Sequence, residues 1–423
     1  MALAPQPETV ARDGYISIRR SDMAAALQDA GGARDARLAD VVKMLSAILH
    51  YEAHDDLERL KTLYDPLDPD TPPARRDTSV AAFERFEVAL MAALKRANYA
   101  EIPHASFESR RATAMLTGLN IKASDAGIRS IRFFARGERT QTLDRRAWLG
   151  LKRIALDANV FEDVIVVVGF KSESEIGDAD KSAFSRMRRG VRPGAALVKH
   201  FRNVAHAELV TLHPGARPGM RPSDQVFLAA PAIAGGVPVL INLWPALTVL
   251  FAVLAAYFGA RGAIDDSDLK RALAAISGLA AVGAFVMRQR MKFEAQTLRY
   301  QKQLAETVYF RNIANNAGVL DLLVGEGEDQ DVKEALLAYW TLLKAGRTLN
   351  KAELDKAAES FLSETFHLAI DFEIGDALAK LERLGLVTQD GETYRAISTN
   401  EALAKLDAAW DSYFKFSAPT PAG

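Results

Sequence analysis

The chain has 423 residues, 49% of them apolar, a formal net charge of -1 and no cysteine. Disulfides, thiolate metal sites and cysteine nucleophiles are thereby excluded, and the length calls for two or three domains with cores of their own. The small net charge hides an asymmetry: residues 105–225 hold 21 Lys and Arg against 13 Asp and Glu, residues 321–423 hold 10 against 19, so a basic middle precedes an acidic end.

Residues 1–127 read as a helical N-terminal region. The first eight residues have neither the basic start nor the apolar core of a secretory signal, so export of this half is not expected. Leu38, Val41, Val42, Leu45, Ile48 and Leu49 form one side of a helix over 34–63. A proline-rich turn at 64–70 follows, then a second helix over 80–99. His50 and His54 have the spacing of a shared metal, but the intervening residues are not those of a metalloprotease and no third ligand is evident, which favours an exposed helical pair. His104 and Ser106 offer a base and a nucleophile without a third member or an oxyanion glycine pattern.

Residues 128–228 read as a mixed α+β basic domain, with β-like runs at 131–134, 164–168, 196–199, 209–212 and 226–228. Arg186, Arg188, Arg189, Arg192, Lys199 and Arg202 lie in a block without acidic residues. It reads as a solvated face or as a contact for anionic lipid headgroups, with nucleic acid a weaker alternative. The glycines at 215, 219, 235 and 236 lack the context of a phosphate loop, and no cofactor motif stands out.

Two uncharged runs, 226–260 and 272–287, flank a polar loop, and together residues 229–290 read as a transmembrane helical hairpin. A buried hairpin or a re-entrant segment is the competing reading. The first run is interrupted by Pro231, Pro238 and Pro245; the second spans only about 24 Å, short of a roughly 30 Å hydrocarbon core. Arg217, Arg221, Arg288, Arg290 and Lys292 border its outer ends, and Arg261, Lys270 and Arg271 lie in the loop. By the positive-inside rule both termini are cytoplasmic.

A connecting helix is expected over 291–325, with 288–316 as one continuous piece. The acidic stretch 326–331 reads as a solvated hinge, since its spacing is not that of a calcium loop. Residues 326–423 then read as a winged-helix-like acidic domain. Asn350 and Glu353 have capping-box spacing, Ile374, Leu378 and Leu381 form a helical stripe, and Asp390-Gly391 marks a hairpin turn. Its Glu373, Asp376, Glu382, Asp390 and Glu392 oppose phosphate, so DNA is disfavoured and protein partners are expected.

Tyr15-Ile-Ser-Ile-Arg-Arg-Ser-Asp22, Leu60-Lys-Thr-Leu-Tyr-Asp-Pro-Leu-Asp-Pro-Asp70, Phe133-Phe-Ala-Arg-Gly137 and Lys199-His-Phe-Arg-Asn-Val204, with the hairpin, resemble the transmembrane protein 143-like family over residues 15–397. The family is a domain of unknown function. The resemblance implies an integral membrane protein with two nearby spans and supplies no catalytic residues. The missing transit-like N-terminus points to a bacterial version, in the inner membrane.

The function expected is therefore that of a non-enzymatic, membrane-anchored interaction or scaffold protein with the lipid bilayer, protein partners or its own copies as contacts. An oligomeric pore or transporter is the alternative. A membrane-surface enzyme is a further one, with His104, Ser106 and His206 as its candidates.

Overall fold

In the computed structural model, residues 14–30, 36–103, 120–147, 152–178, 191–219 and 266–413 are described, with isolated positions at 181, 248, 251, 255, 258 and 259. By internal contacts the chain divides into one unit of Met1–Ser106, Ala126–His206 and Arg311–Gly423 and a second of Phe107–Asp125 and Ala207–Phe310.

The first unit begins with helix α1 (Arg20–Ala30), which buries Met23 and Leu27. Helix α2 (Ala36–Tyr64) follows, with Leu38, Val41, Leu45, Ile48, Leu49 and Leu60 inside at helical spacing. The Tyr64 hydroxyl donates to the Ala196 carbonyl at 3.0 Å and fixes its end. Ser79 caps helix α3 (Val80–Arg96) by accepting from the Ala82 N–H. Beyond α3, Asn98 turns the chain at φ +58° into strand β1 (Ala100–Glu101).

Strands β3 (Ile128–Ala147) and β4 (Lys152–Phe170) form a long antiparallel ribbon, extended by β5 (Ala196–Ala205) and by β7 (Asn312–Asn315), giving the order β1-β3-β4-β5-β7. The two-residue β1 lies at the other edge. Phe134, Ile165, Val167, Ala196 and Val198 pack beneath Phe83, Phe86 and Leu90 of α3. Gly169 permits this approach, because a Cβ there would stand 2.6 Å from the Phe83 ring. The second unit contains the pair β2 (Asn120–Lys122) and β6 (Arg217–Gly219), and nearly all of helix α4 (Asp266–Arg311).

Helix α5 (Ala317–Ala345) leads into β8 (Leu349–Asn350), α6 (Lys351–Phe366), α7 (Ile374–Arg383), β9 (Val387–Asp390), β10 (Thr393–Ala396) and α8 (Thr399–Tyr413). The sheet order is β8-β10-β9. Asn350 and Glu353 form a reciprocal capping box, and Gly391 at φ +59° opens the β9–β10 turn. Two apolar cores result: one joins the start of α5 and the end of α2 to α3 and the long sheet, and the other joins the rest of α5 and α2 to the C-terminal helices.

Four expectations are corrected. Among the described residues no helix is long and apolar enough to cross a membrane. The second arm of the expected hairpin lies within α4, whose uncharged run of about 24 Å is too short for a bilayer core and continues through the exposed Arg288, Arg290 and Lys292. The first arm, 226–260, lies outside the described residues except at five isolated positions. The transmembrane hairpin in the α+β membrane fold, the inner-membrane location with cytoplasmic termini, the membrane-anchored scaffold and the pore, transporter and membrane-surface-enzyme alternatives are withdrawn with it.

The continuous helix over 288–316 also fails, because α4 stops at Arg311 and the next four residues pair with β5. Asn312 and Asn315 bond to each other at 3.0 and 3.1 Å, so their amides are satisfied outside a helix. Likewise the acidic hinge at 326–331 is the middle of α5. Residues 209–212, read as β-like, belong to a 3-10 segment, His206–Leu212.

Residues 330–334 of α5 are buried although four of the five are polar, and each of the four is partnered. Gln330 accepts from the Ile16 N–H and donates to the Ile16 carbonyl, both at 3.1 Å. Lys333 reaches the Ile16 carbonyl at 2.6 Å and Asp329 at 2.9 Å. Asp331 receives Arg96 at 2.9 Å and Lys380 at 2.5 Å. Glu334 accepts from Asn98 at 3.0 Å and lies 3.6 Å from Lys380.

Burial pushes the Glu334 carboxyl up from an ordinary 4.5 to about 7, against the pull of Lys380 and the Asn98 bond. A raised carboxyl favours the folded state below its unfolded value and loses that contribution as pH rises through its folded value. Stability is therefore expected to decline between about pH 4.5 and pH 7 on account of this group, and Glu334→Gln should flatten that part of the profile. Denaturant midpoints measured across this range test it; an unchanged slope in the variant would refute the assignment.

Candidate functional site

Arg136 of β3 is 3% exposed and lies at the junction of β3, β4, β5, the turn after α3 and the α5 helix. Its guanidinium carbon lies 4.2 Å from the Tyr15 ring centre and 4.4 Å from that of Tyr99. One nitrogen, Nη1, donates to the Ala97 carbonyl at 2.9 Å. Nε and Nη2 donate to Oδ2 of Asp163 at 3.2 and 3.0 Å, and Nη2 also reaches Oε2 of Glu326 at 2.8 Å. The next residue, Gly137, has φ +68°, and a Cβ there would stand 2.7 Å from that of Glu162.

The other Asp163 oxygen lies 3.0 Å from His200 Nε2 and accepts from Arg202 Nε at 3.1 Å. Tyr99 donates to Glu326 at 3.0 Å. Burial drives the Asp163 carboxyl up, but the His200 hydrogen bond and the Arg136 charge outweigh it and hold it well below the usual carboxylate range. Burial raises the Tyr15 hydroxyl to about 12 and moves Tyr99 well above its ordinary value. Neither phenol is thus placed to lose its proton near neutrality.

Asp163, His200 and Glu326 each bring a ligand atom within 4.8 Å of the others, a donor set of the kind divalent ions use. The residues nevertheless do not fit an ion. Arg136 supplies the positive charge between the two carboxylates, and its burial under two aromatic rings leaves it no alternative position. The cluster is a brace linking the sheet to α5.

A second feature is a groove of about 630 Å³ between α2, α3 and α5. Its wall on α3 is the stripe Ala81, Glu84, Arg85, Val88, Ala89, Ala92, Ala93 and Arg96, which runs about 22 Å along the helix. Leu60 and Leu63 of α2 and Leu323 and Val324 of α5 complete the apolar surface, with Asp56 and Arg59 at the rim. Val88, 73% exposed, stands midway along it.

The sequence candidates are distributed differently. His104, Ser106, Arg186, Arg188, Arg189, Arg221 and Arg261 lie outside the described residues. His206 stacks on Phe161 at 4.1 Å, and its Nε2 is 3.0 Å from Glu138. His50 contacts Glu328 at 2.8 Å, His54 is exposed, and neither belongs to a metal-sized group among the described residues. Within the expected basic patch, Arg192 is exposed, Lys199 is half-buried and Arg202 is bound to Asp163. Arg217 opens β6, while Lys270, Arg271, Arg288, Arg290 and Lys292 lie along α4.

Residues 161–318 match a family model described as a protein of unknown function (DUF3754). No solved structure matches the chain. The matched stretch contains Asp163, His200 and Arg202 but not Arg136 or Glu326. Arg136, Asp163, His200 and Glu326 are not among the sequence candidates, because they stand far apart in the chain and share no local motif.

Removing one partner of a buried ion pair leaves the other uncompensated. Arg136→Met is accordingly expected to lower the unfolding free energy by about 3–5 kcal/mol. Denaturant unfolding measures this, and a loss within about 0.5 kcal/mol, the range of ordinary surface substitutions, would remove the brace assignment.

Proposed function

We propose that this protein works by binding a helical segment of a protein partner in the groove between α2, α3 and α5. The observation that carries the reading is the uninterrupted α3 stripe from Ala81 to Arg96, small and apolar at its centre and charged at its borders. An amphipathic helix docks by laying its apolar side chains into such a channel, with anchors at helical spacing. The alanines let the incoming backbone approach closely. Asp56, Glu84, Arg59 and Arg85 offer both signs of charge to its polar edges.

Two further observations support partner binding over chemistry or nucleic acid. In the buried cluster the carboxylates of Asp163 and Glu326 are both engaged by Arg136, and in the polar layer of α5 Glu334 is held by Asn98 and Lys380. On α7, Lys380 is engaged by Asp331 and Glu334, and the half-exposed Arg383 by Glu52 at 2.5 and 2.7 Å, so its basic side chains are already paired with carboxylates that would compete with phosphates.

Val88→Glu places a charge midway along the groove. A photo-crosslinking side chain at Ala92 is expected to yield discrete adducts in cells, and Val88→Glu to abolish them while stability stays within about 0.5 kcal/mol. Adducts that persist in the Val88→Glu chain, or none at all, would sink the reading.

A further inference from the structure

Helix α4 carries exposed large apolar side chains on more than one face, Val286, Phe293 and Phe310 among them, and on one face Ile276 is 52% exposed, Met287 54%, Met291 59%, Leu298 64% and Tyr309 75%. Four of them, Ile276, Met287, Leu298 and Tyr309, recur every 11 residues. Eleven residues make almost three whole helical turns, so this stripe stays on one face for 33 residues, or about 50 Å. Water is a poor neighbour for such a stripe, which only Glu294, paired with Arg290 at 2.9 Å, interrupts between Met287 and Leu298, and exposed apolar surface of this extent marks an interaction site.

We infer that the stripe is covered by α4 of a second copy of this chain, packed antiparallel. The stripe is symmetric in sequence about residues 292 and 293, so an antiparallel copy sets Met287 against Leu298 and Ile276 against Tyr309. Charge selects the direction. Residues 272–287 carry none, whereas 288–311 carry six basic and two acidic side chains. Antiparallel packing lays each basic half along the uncharged half of the other copy; parallel packing would stack the basic halves and repel.

The five side chains, each more than half exposed, supply apolar surface toward the roughly 800 Å² that each partner gives to a standard interface. This surface is separate from the groove on α3 and rests on different observations.

The absence of native cysteine allows a clean test. Full-length Met287→Cys and Leu298→Cys chains, one carrying a longer tag, are purified, mixed and oxidised. A mixed disulfide dimer is expected in several-fold excess over either variant alone. Met287→Glu combined with Leu298→Glu should abolish the dimer in sedimentation while thermal unfolding is retained. A Met287→Cys self-dimer would overturn the antiparallel arrangement. A monomer in sedimentation with no disulfide, or a fluorophore on Cys-substituted 287 that shifts only when anionic phospholipid vesicles are added, would overturn the self-association itself.

Discussion

The first unit depends on keeping a charged stretch of helix α5 inside protein. On one side of this stretch Val319, Leu320 and Leu323 belong to the core under α3 and the long sheet; on the other, Val332, Leu336 and Tyr339 belong to the core of the C-terminal helices. Between them Glu326, Gln330, Asp331, Lys333 and Glu334 have to be satisfied without bulk water, since an unpaired buried charge costs more than most single contacts contribute. Ile16, Asn98, Arg96, Arg136 and Lys380 provide the partners. The polar layer thus fixes the rotation of α5 and with it the relation of the two cores.

The brace and the groove are consequences of that layer. Arg136 reaches Glu326 only because α5 presents that carboxylate to the sheet, and Tyr15 and Tyr99 are held over the guanidinium by the same contacts. Arg96 binds both Asp331 and Asp56, joining α3 to α5 and α2. These three helices are the walls of the groove. A surface held rigid in this way loses less conformational freedom when a partner helix arrives.

Short-range order was legible in the residues themselves. The periodicity of Leu38, Val41, Leu45 and Ile48 placed α2, the Asn350–Glu353 spacing marked the start of α6, and Asp390-Gly391 marked a turn. In each case the determining groups lie within a few residues of one another. The acidic run at 326–331 was misread for the opposite reason. Taken alone it resembles a solvated linker, and nothing local distinguishes that from a buried polar layer.

Residue order by itself therefore determined where helices such as α2, α3 and α6 run, short pieces of strands β3, β4 and β5, and where caps and turns fall. Tertiary structure decided what those elements meet. Lys333 is satisfied by Ile16 and Asp331 by Arg96, partners 317 and 235 residues away, and Asn312–Asn315 became a strand because the edge of β5 was available to pair with it. An uncharged run in α4 likewise has the composition of a membrane span without the length of one. Desolvation and pairing are properties of the assembled neighbourhood, whereas periodicity and capping are properties of the chain.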